Sequence, residues 1–202
     1  MKSNFASDLS KEKKLHSLLD NYYAKNLNRY HFERVSNYRE QMQGIDLVFK
    51  HRKTGVSFYV DEKAQLDYIN ERLPTFAFEL FYDKGGSKKQ GWLFDSTKKT
   101  HFYSLVTSIY ADDENKFTSC NITFVNRKML VHYLESIGLS KEKLKEIAIL
   151  HNDFHGKFEL NKLDTRREGY LFFSRKNKVE KPLNLILKLD FLIEIGVAKK
   201  FV

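Results

Sequence analysis

Three side chains within the stretch 44–65 could do chemistry together: Asp46, Asp61 and Lys63. The stretch reads GIDLVFKHRKTGVSFYVDEKAQ. Ile45, Leu47 and Phe49 alternate on the way into a polar, basic turn at 51–55, and Val56, Phe58 and Val60 alternate on the way out, the pattern of a β-hairpin. Successive strand side chains face opposite ways, so Asp46 leaves the apolar row while Asp61, Lys63 and Gln65 share one face. A turn about Lys53-Thr54 sets Leu47 against Val60 and Asp46 against Asp61. Directly opposed carboxylates have Cβ atoms roughly 5 Å apart and repel. A divalent cation between them relieves that repulsion. Hard oxygen ligands suit Mg²⁺ (Mn²⁺ as a substitute), which keeps several waters and binds one or two carboxylates plus substrate phosphate. Lys63 would then stand beside the metal to orient or deprotonate a water, or to stabilise charge on the phosphate.

Asp46 followed by Asp61-Glu62-Lys63 at the end of the next strand resembles the PD-(D/E)XK nuclease superfamily, the restriction-endonuclease-like proteins. The likeness covers residues 10–110. It implies an α-β-β-β-α-β core and a metal-dependent endonuclease hydrolysing phosphodiester bonds. Asp46 becomes the acid of the first motif, Asp61 the acid of the second and Lys63 its lysine. Glu62 takes the variable middle position, with its side chain on the other face and its backbone carbonyl a further metal ligand. Ile45 stands where the motif carries a proline. Gln43 and Gln65 resemble glutamines that some branches keep near the site. The resemblance also implies DNA rather than RNA as substrate, and a homodimer. Its rival is a non-catalytic nucleic-acid-binding protein on the same fold.

The rest of the chain must position these groups. At 202 residues, with 42% hydrophobic and 14% aromatic residues, it can bury a substantial core. The formal net charge of +9 is spread over both halves, which favours a polyanion partner. No run of about 18 apolar residues suggests a membrane span, and the N-terminal MKSNFASDLSKEKK lacks the apolar segment of a signal peptide, so a cytoplasmic protein is expected. The single cysteine, Cys120, rules out an internal disulfide and a Cys-based zinc cluster, and is expected in the core.

The fold class expected is α/β (α+β), a mixed central sheet flanked by helices, in one domain with a nuclease-like core at 10–110 and a C-terminal addition at 111–202. Leu15, Leu18, Leu19, Tyr22 and Tyr23 mark a first helix over 11–28, with Ser10 as cap and Glu12 and Asp20 as candidate acids. A short strand is expected at 31–35, with Glu33 the acid closest to the site in chain order, then a loop or strand edge at 36–43 containing Glu40. TFAFELFY, 75–82, reads as a buried strand interrupted by Glu79, which is either an extra metal ligand or partner for Lys63, or a Glu on a solvent-facing side of the strand. The Gly85-Gly86 turn carries Lys84, Lys88 and Lys89. Together with Arg175, Lys176 and Lys178 near the basic turn at 175–181, these are candidate backbone contacts for nucleic acid. A further strand is expected at 91–95, and 101–110 as helix or strand. The acidic segment 111–116 is a candidate subdomain boundary. A strand at 121–125 precedes two helices, 126–137 and 140–151, separated by Gly138 and read as an αα-hairpin. His151 and His155 stand four apart, but Asn152, Asp153 and Gly156 end the helix between them, against a shared metal. A strand is expected at 170–174, and the segment 182–202 fits strand or helix.

Overall fold

The computed structural model describes the backbone of residues 5–113, 116–176 and 180–202, and the side chains of the same residues except 5–13 and 113. The chain forms two compact units, each drawn from separated segments. The first comprises Met1–Leu73, Thr100–Phe124 and Lys199–Val202, and the second Pro74–Lys99 and Val125–Ala198.

The first unit opens with α1 (Phe5–Asn26), β1 (Tyr30–Arg34), α2 (Tyr38–Met42), β2 (Leu47–His51) and β3 (Ser57–Ala64). The chain then supplies β4 (Thr75–Lys84) and β5 (Ser87–Gln90) to the second unit and returns as β6 (Phe102–Asp113) and β7 (Lys116–Asn126). After α3 (Arg127–Ser136), α4 (Lys141–Leu150), β8 (Gly156–Phe158), β9 (Gly169–Phe173), β10 (Leu183–Lys188) and α5 (Leu189–Glu194), the strand β11 (Ala198–Lys200) closes the first sheet. That sheet runs β1-β2-β3-β6-β7-β11 and is mixed, because β1, β2 and β3 pair antiparallel while β3 and β6 pair parallel.

The expected hairpin register holds: Leu47 lies opposite Val60, Val48 opposite Tyr59 and Phe49 opposite Phe58. One face of the hairpin receives α1. Leu15, Leu19 and Tyr23, spaced by about one helical turn, are at most 1% exposed and pack with Leu47, Phe49, Val60, Val106, Ile109, Cys120 and Ile122. Each such aliphatic side chain contributes about 2 kcal/mol of burial. The alternation of strand side chains commits the opposite face of β3 to Asp61 and Lys63.

The second unit holds an antiparallel sheet, β5-β4-β10-β9-β8. Its helices follow their sequence signals. Asn126 caps α3 by accepting from the Met129 amide, Gly138 supplies the left-handed turn at φ +81°, and Ser140 caps α4 by accepting from the Lys143 amide. The ambiguous segment 182–202 is a strand, a short helix and a strand in succession.

The class is mixed α/β with a mixed central sheet, as the patterning implies. Five details differ from the sequence reading. The wholly antiparallel second sheet was not foreseen. Within 36–43, Tyr38–Met42 form a short helix instead of a loop, because the Asn37 side chain accepts from the Arg39 and Glu40 amides. The segment GWLFD is a turn, with the Phe94 and Asp95 amides bonded back to the Gly91 carbonyl. A Cβ on Gly91 would lie 2.4 Å from the Glu79 carbonyl oxygen, so glycine is what lets the turn approach β4. The connection from β3 to β6 carries β4 and β5 where an α-β-β-β-α-β core has a helix. Finally, α1 begins at Phe5, so Ser10 lies inside it. The acidic segment at 111–116 falls where β6 gives way to β7, neighbours in the first sheet. Among the described residues, no helix is long and apolar enough to cross a membrane.

Candidate functional site

Asp46 stands at the entry to β2, held on both sides by its own backbone. Its amide donates to the Val60 carbonyl at 2.9 Å, and its carbonyl accepts from the Val35 amide at 2.8 Å. The carboxylate finishes the job: Asp46 Oδ2 accepts from the Glu62 amide at 2.8 Å, taking the place of a main-chain acceptor on the neighbouring strand. Asp61, one residue earlier on β3, is 2% exposed and lies beside Tyr103 of β6. Lys63, two residues on and therefore on the same face, donates from Nζ to Asp61 Oδ1 at 2.5 Å.

Burial first, then the Asp61 charge and a carboxyl–carboxyl hydrogen bond with Asp61, push the Asp46 carboxyl from its ordinary 3.8 up to about 7. The Lys63 ammonium and the Glu62 amide pull the other way and only partly compensate. Two acids and an amine thus share one patch, and a cation there would offset the repulsion that helps to raise Asp46.

The donor set fits a small hard cation. Two carboxylates are present, and among the described residues no cluster of three or more His, Cys, Asp or Glu is placed to hold a metal. The remaining coordination positions would therefore fall to waters and phosphate oxygens, the manner in which Mg²⁺ is ordinarily bound.

Glu62 does different work. Its side chain faces α1, accepting from Tyr23 Oη at 2.7 Å and from Arg34 Nη1 at 2.5 Å. Arg34 Nε also donates to Asp20 at 2.7 Å, and Ser104 Oγ lies 2.9 Å from Tyr23 Oη. Burial disfavours the Arg34 charge, but Glu62 and Asp20 more than offset it and hold Arg34 above its ordinary value. Burial, followed by the Glu62 charge, pushes the Tyr23 hydroxyl well up, and burial together with Arg34 lowers His16. Asp20, a candidate metal acid by sequence, is thus engaged in this ion-pair network. The network was missed because a helix Tyr and a strand Arg carry no spacing signal that links them to Glu62.

The other candidates divide by position. By register Glu33 shares the Asp46–Asp61 face as a diagonal neighbour of Asp46, and it is exposed. Glu40 is exposed on α2, whereas Gln43 and Gln65 are half-buried. The side chain of Glu12 lies outside the described residues. Glu79 is half-buried on β4, opposite Asn184 of β10, in the other sheet from Asp46 and Asp61. In the second unit, Lys84 and Lys89 are exposed on β4 and β5, Lys176 is exposed, Lys88 and Arg175 line one crevice, and Lys178 lies outside the described residues. His151 packs on Phe158 with ring centroids 4.5 Å apart, and His155 Nδ1 accepts from the Arg175 amide, so each histidine serves a structural contact. Cys120 is buried, and burial followed by the Glu62 charge pushes its thiol up to about 12, away from nucleophilic use.

Compared with protein-family models, curated proteins and solved structures, the chain matches none.

Proposed function

We propose that the chain is a metal-dependent nuclease that hydrolyses phosphodiester bonds, with Asp46, Asp61 and Lys63 as its working residues. One observation carries the reading: Asp46, at the entry to β2 and bonded through its carboxylate to the Glu62 amide, lies close enough to the Asp61 carboxyl of β3 to be raised by it, and the Lys63 amine is bonded to Asp61. A bound Mg²⁺ or Mn²⁺ would supply Lewis acidity toward the phosphate and a water of lowered pKa. Asp46 and Asp61 hold the cation, with the Glu62 carbonyl a third donor by analogy with the PD-(D/E)XK motif. Asp46, once deprotonated, would offer its carboxylate to the cation. Lys63, bonded to Asp61, would orient the attacking water or neutralise charge on the phosphate. The run of a helix, three antiparallel strands and a fourth strand parallel to the third supports the family analogy. DNA is the substrate that analogy favours.

A second reading has its own support. Asp61 is nearly fully buried and already paired with Lys63, an arrangement that also suits a structural ion pair in a nucleic-acid-binding protein. Cleavage of supercoiled plasmid separates the two. The nuclease reading expects nicking with Mg²⁺ or Mn²⁺, none in EDTA, and none from Asp61→Asn. Metal-independent binding without any cutting establishes the second reading and removes the first.

A further inference from the structure

The second unit carries a cluster of cations that the first unit's acids do not explain. The β4–β5 turn and the β9–β10 connection lie at the same end of the five-stranded sheet, because Lys84 pairs with Ser87, and Leu183 with both Phe81 and Phe173. A narrow crevice there is lined by Asp83, Lys88, Ala148, Arg175, Lys181 and Leu183, among others. The Arg175 side chain is only 9% exposed. Its Nη1 donates to Asp83 Oδ2 at 3.2 Å and to the Lys181 carbonyl at 2.9 Å, and Lys181 holds that carbonyl in place from a left-handed backbone, φ 43°. Yet Arg175 Nε–H is buried and has no acceptor. A buried unsatisfied donor costs about 1–3 kcal/mol, more for a charged group. Lys88 reaches across the same crevice to the Ala148 carbonyl, on the last turn of α4, at 3.2 Å. Burial and the nearby charges of Arg175 and Lys145 make its ammonium easier to deprotonate, with Asp83 the single opposing carboxylate. Arg175 and Lys88 thus share one carboxylate, Asp83, and one guanidinium donor is left unmet. Guanidinium and ammonium groups together suit the oxygens of phosphate.

We propose that this crevice is a phosphate site that takes one backbone phosphate of a bound nucleic-acid strand, with Arg175 Nε–H and Lys88 Nζ as its donors. The proposal rests on the nucleic-acid reading above and adds where the strand is held. The crevice is narrow, so the phosphate enters as Lys88 swings off the Ala148 carbonyl.

The test uses the full chain in EDTA with two probes. The first is inorganic phosphate, read by the NMR signal of Arg175 Nε–H. The second is a fluorescein-labelled oligonucleotide, read by anisotropy at several salt concentrations, for wild type and Lys88→Gln. Phosphate should move the Arg175 Nε–H signal. Lys88→Gln should weaken oligonucleotide binding by about 3- to 10-fold and flatten the salt dependence by about one phosphate contact. Arg175→Lys, which keeps a cation for Asp83 but removes Nε–H, should weaken binding similarly while melting as a folded protein. An unmoved Arg175 signal, or Lys88→Gln binding with wild-type affinity and salt slope, overturns the site. Phosphate binding without oligonucleotide binding overturns its nucleic-acid occupant. Plasmid cleavage with unaltered Lys88→Gln binding removes the crevice and leaves the nuclease, whereas oligonucleotide binding through the crevice with no cleavage removes the nuclease alone.

Discussion

Asp46→Asn is the perturbation that asks most directly whether the two acids are as close as the geometry places them. The amide keeps an oxygen to accept from the Glu62 N–H and gains an N–H for Asp61, so it imitates the protonated carboxyl. A carboxyl raised in the folded state binds its proton more tightly there than in the unfolded chain. The contribution of Asp46 to stability is therefore fully present below about pH 4, is lost as pH rises toward 7, and stays lost above that. A rise from 3.8 to about 7 caps the loss at about 4 kcal/mol, at about 1.4 kcal/mol per pH unit. Asp46 is half-buried, and solvent screening reduces the expected figure to about 2 kcal/mol. Asn carries no such proton. Urea unfolding in EDTA should show the variant gaining on the wild type from pH 4 to 7, by about 2 kcal/mol in all, with no further gain at pH 8. Added Mg²⁺ at pH 8 should stabilise the wild type and leave the variant nearly unchanged. A gap that stays flat across pH, or an Asn variant that loses ground as pH rises, would refute the carboxyl pair.

Lys63→Ala should abolish metal-dependent plasmid cleavage, by about 100-fold or more, and because it leaves the 2% exposed Asp61 without its ammonium it should also lower the melting temperature in EDTA. Glu62→Ala takes an acceptor from Tyr23 Oη and from one arm of Arg34, which keep Ser104 Oγ and Asp20 respectively, and urea titration should find it about 2 kcal/mol less stable. Phe201→Ala removes a ring packed 5.1 Å from Phe124 and 6.0 Å from Tyr23, and the same measurement should record a loss of about 2 kcal/mol.

The hairpin was legible because three independent signals agreed: alternation on both strands, a polar turn ending in Gly55 at φ +72°, and apolar residues that could face only one way. Strand period then placed Asp46, Asp61 and Lys63 together without any long-range knowledge. The helix caps at Asn126 and Ser140 were legible for the same reason, since their hydrogen bonds close within three residues. What stayed hidden was non-local or short. The pairing of β4 with β10 joins residues such as Phe76 and Leu187, and nothing near either announces the other. The helix α2 buries no side chain and has no apolar stripe to reveal it. GWLFD resembles a strand in composition, and its glycine is explained only by the nearby β4 backbone. Glu79 read as a buried acid near the site because its strand is apolar, yet a strand's sheet cannot be told from its own residues.

The two sides of β3 also arrive by different routes. On one side it meets β2 through a tight turn, so Asp46 and Asp61 come together within a local hairpin of the kind that forms in microseconds. On the other side it pairs parallel with β6, residue 60 against residue 102, and that edge closes only after the intervening chain has been looped out. The acidic pair is thus an early product of folding, whereas the β6 edge that sets Tyr103 beside Asp61 is a late one. During refolding, Asp46 should take up a proton from solution as burial raises its carboxyl.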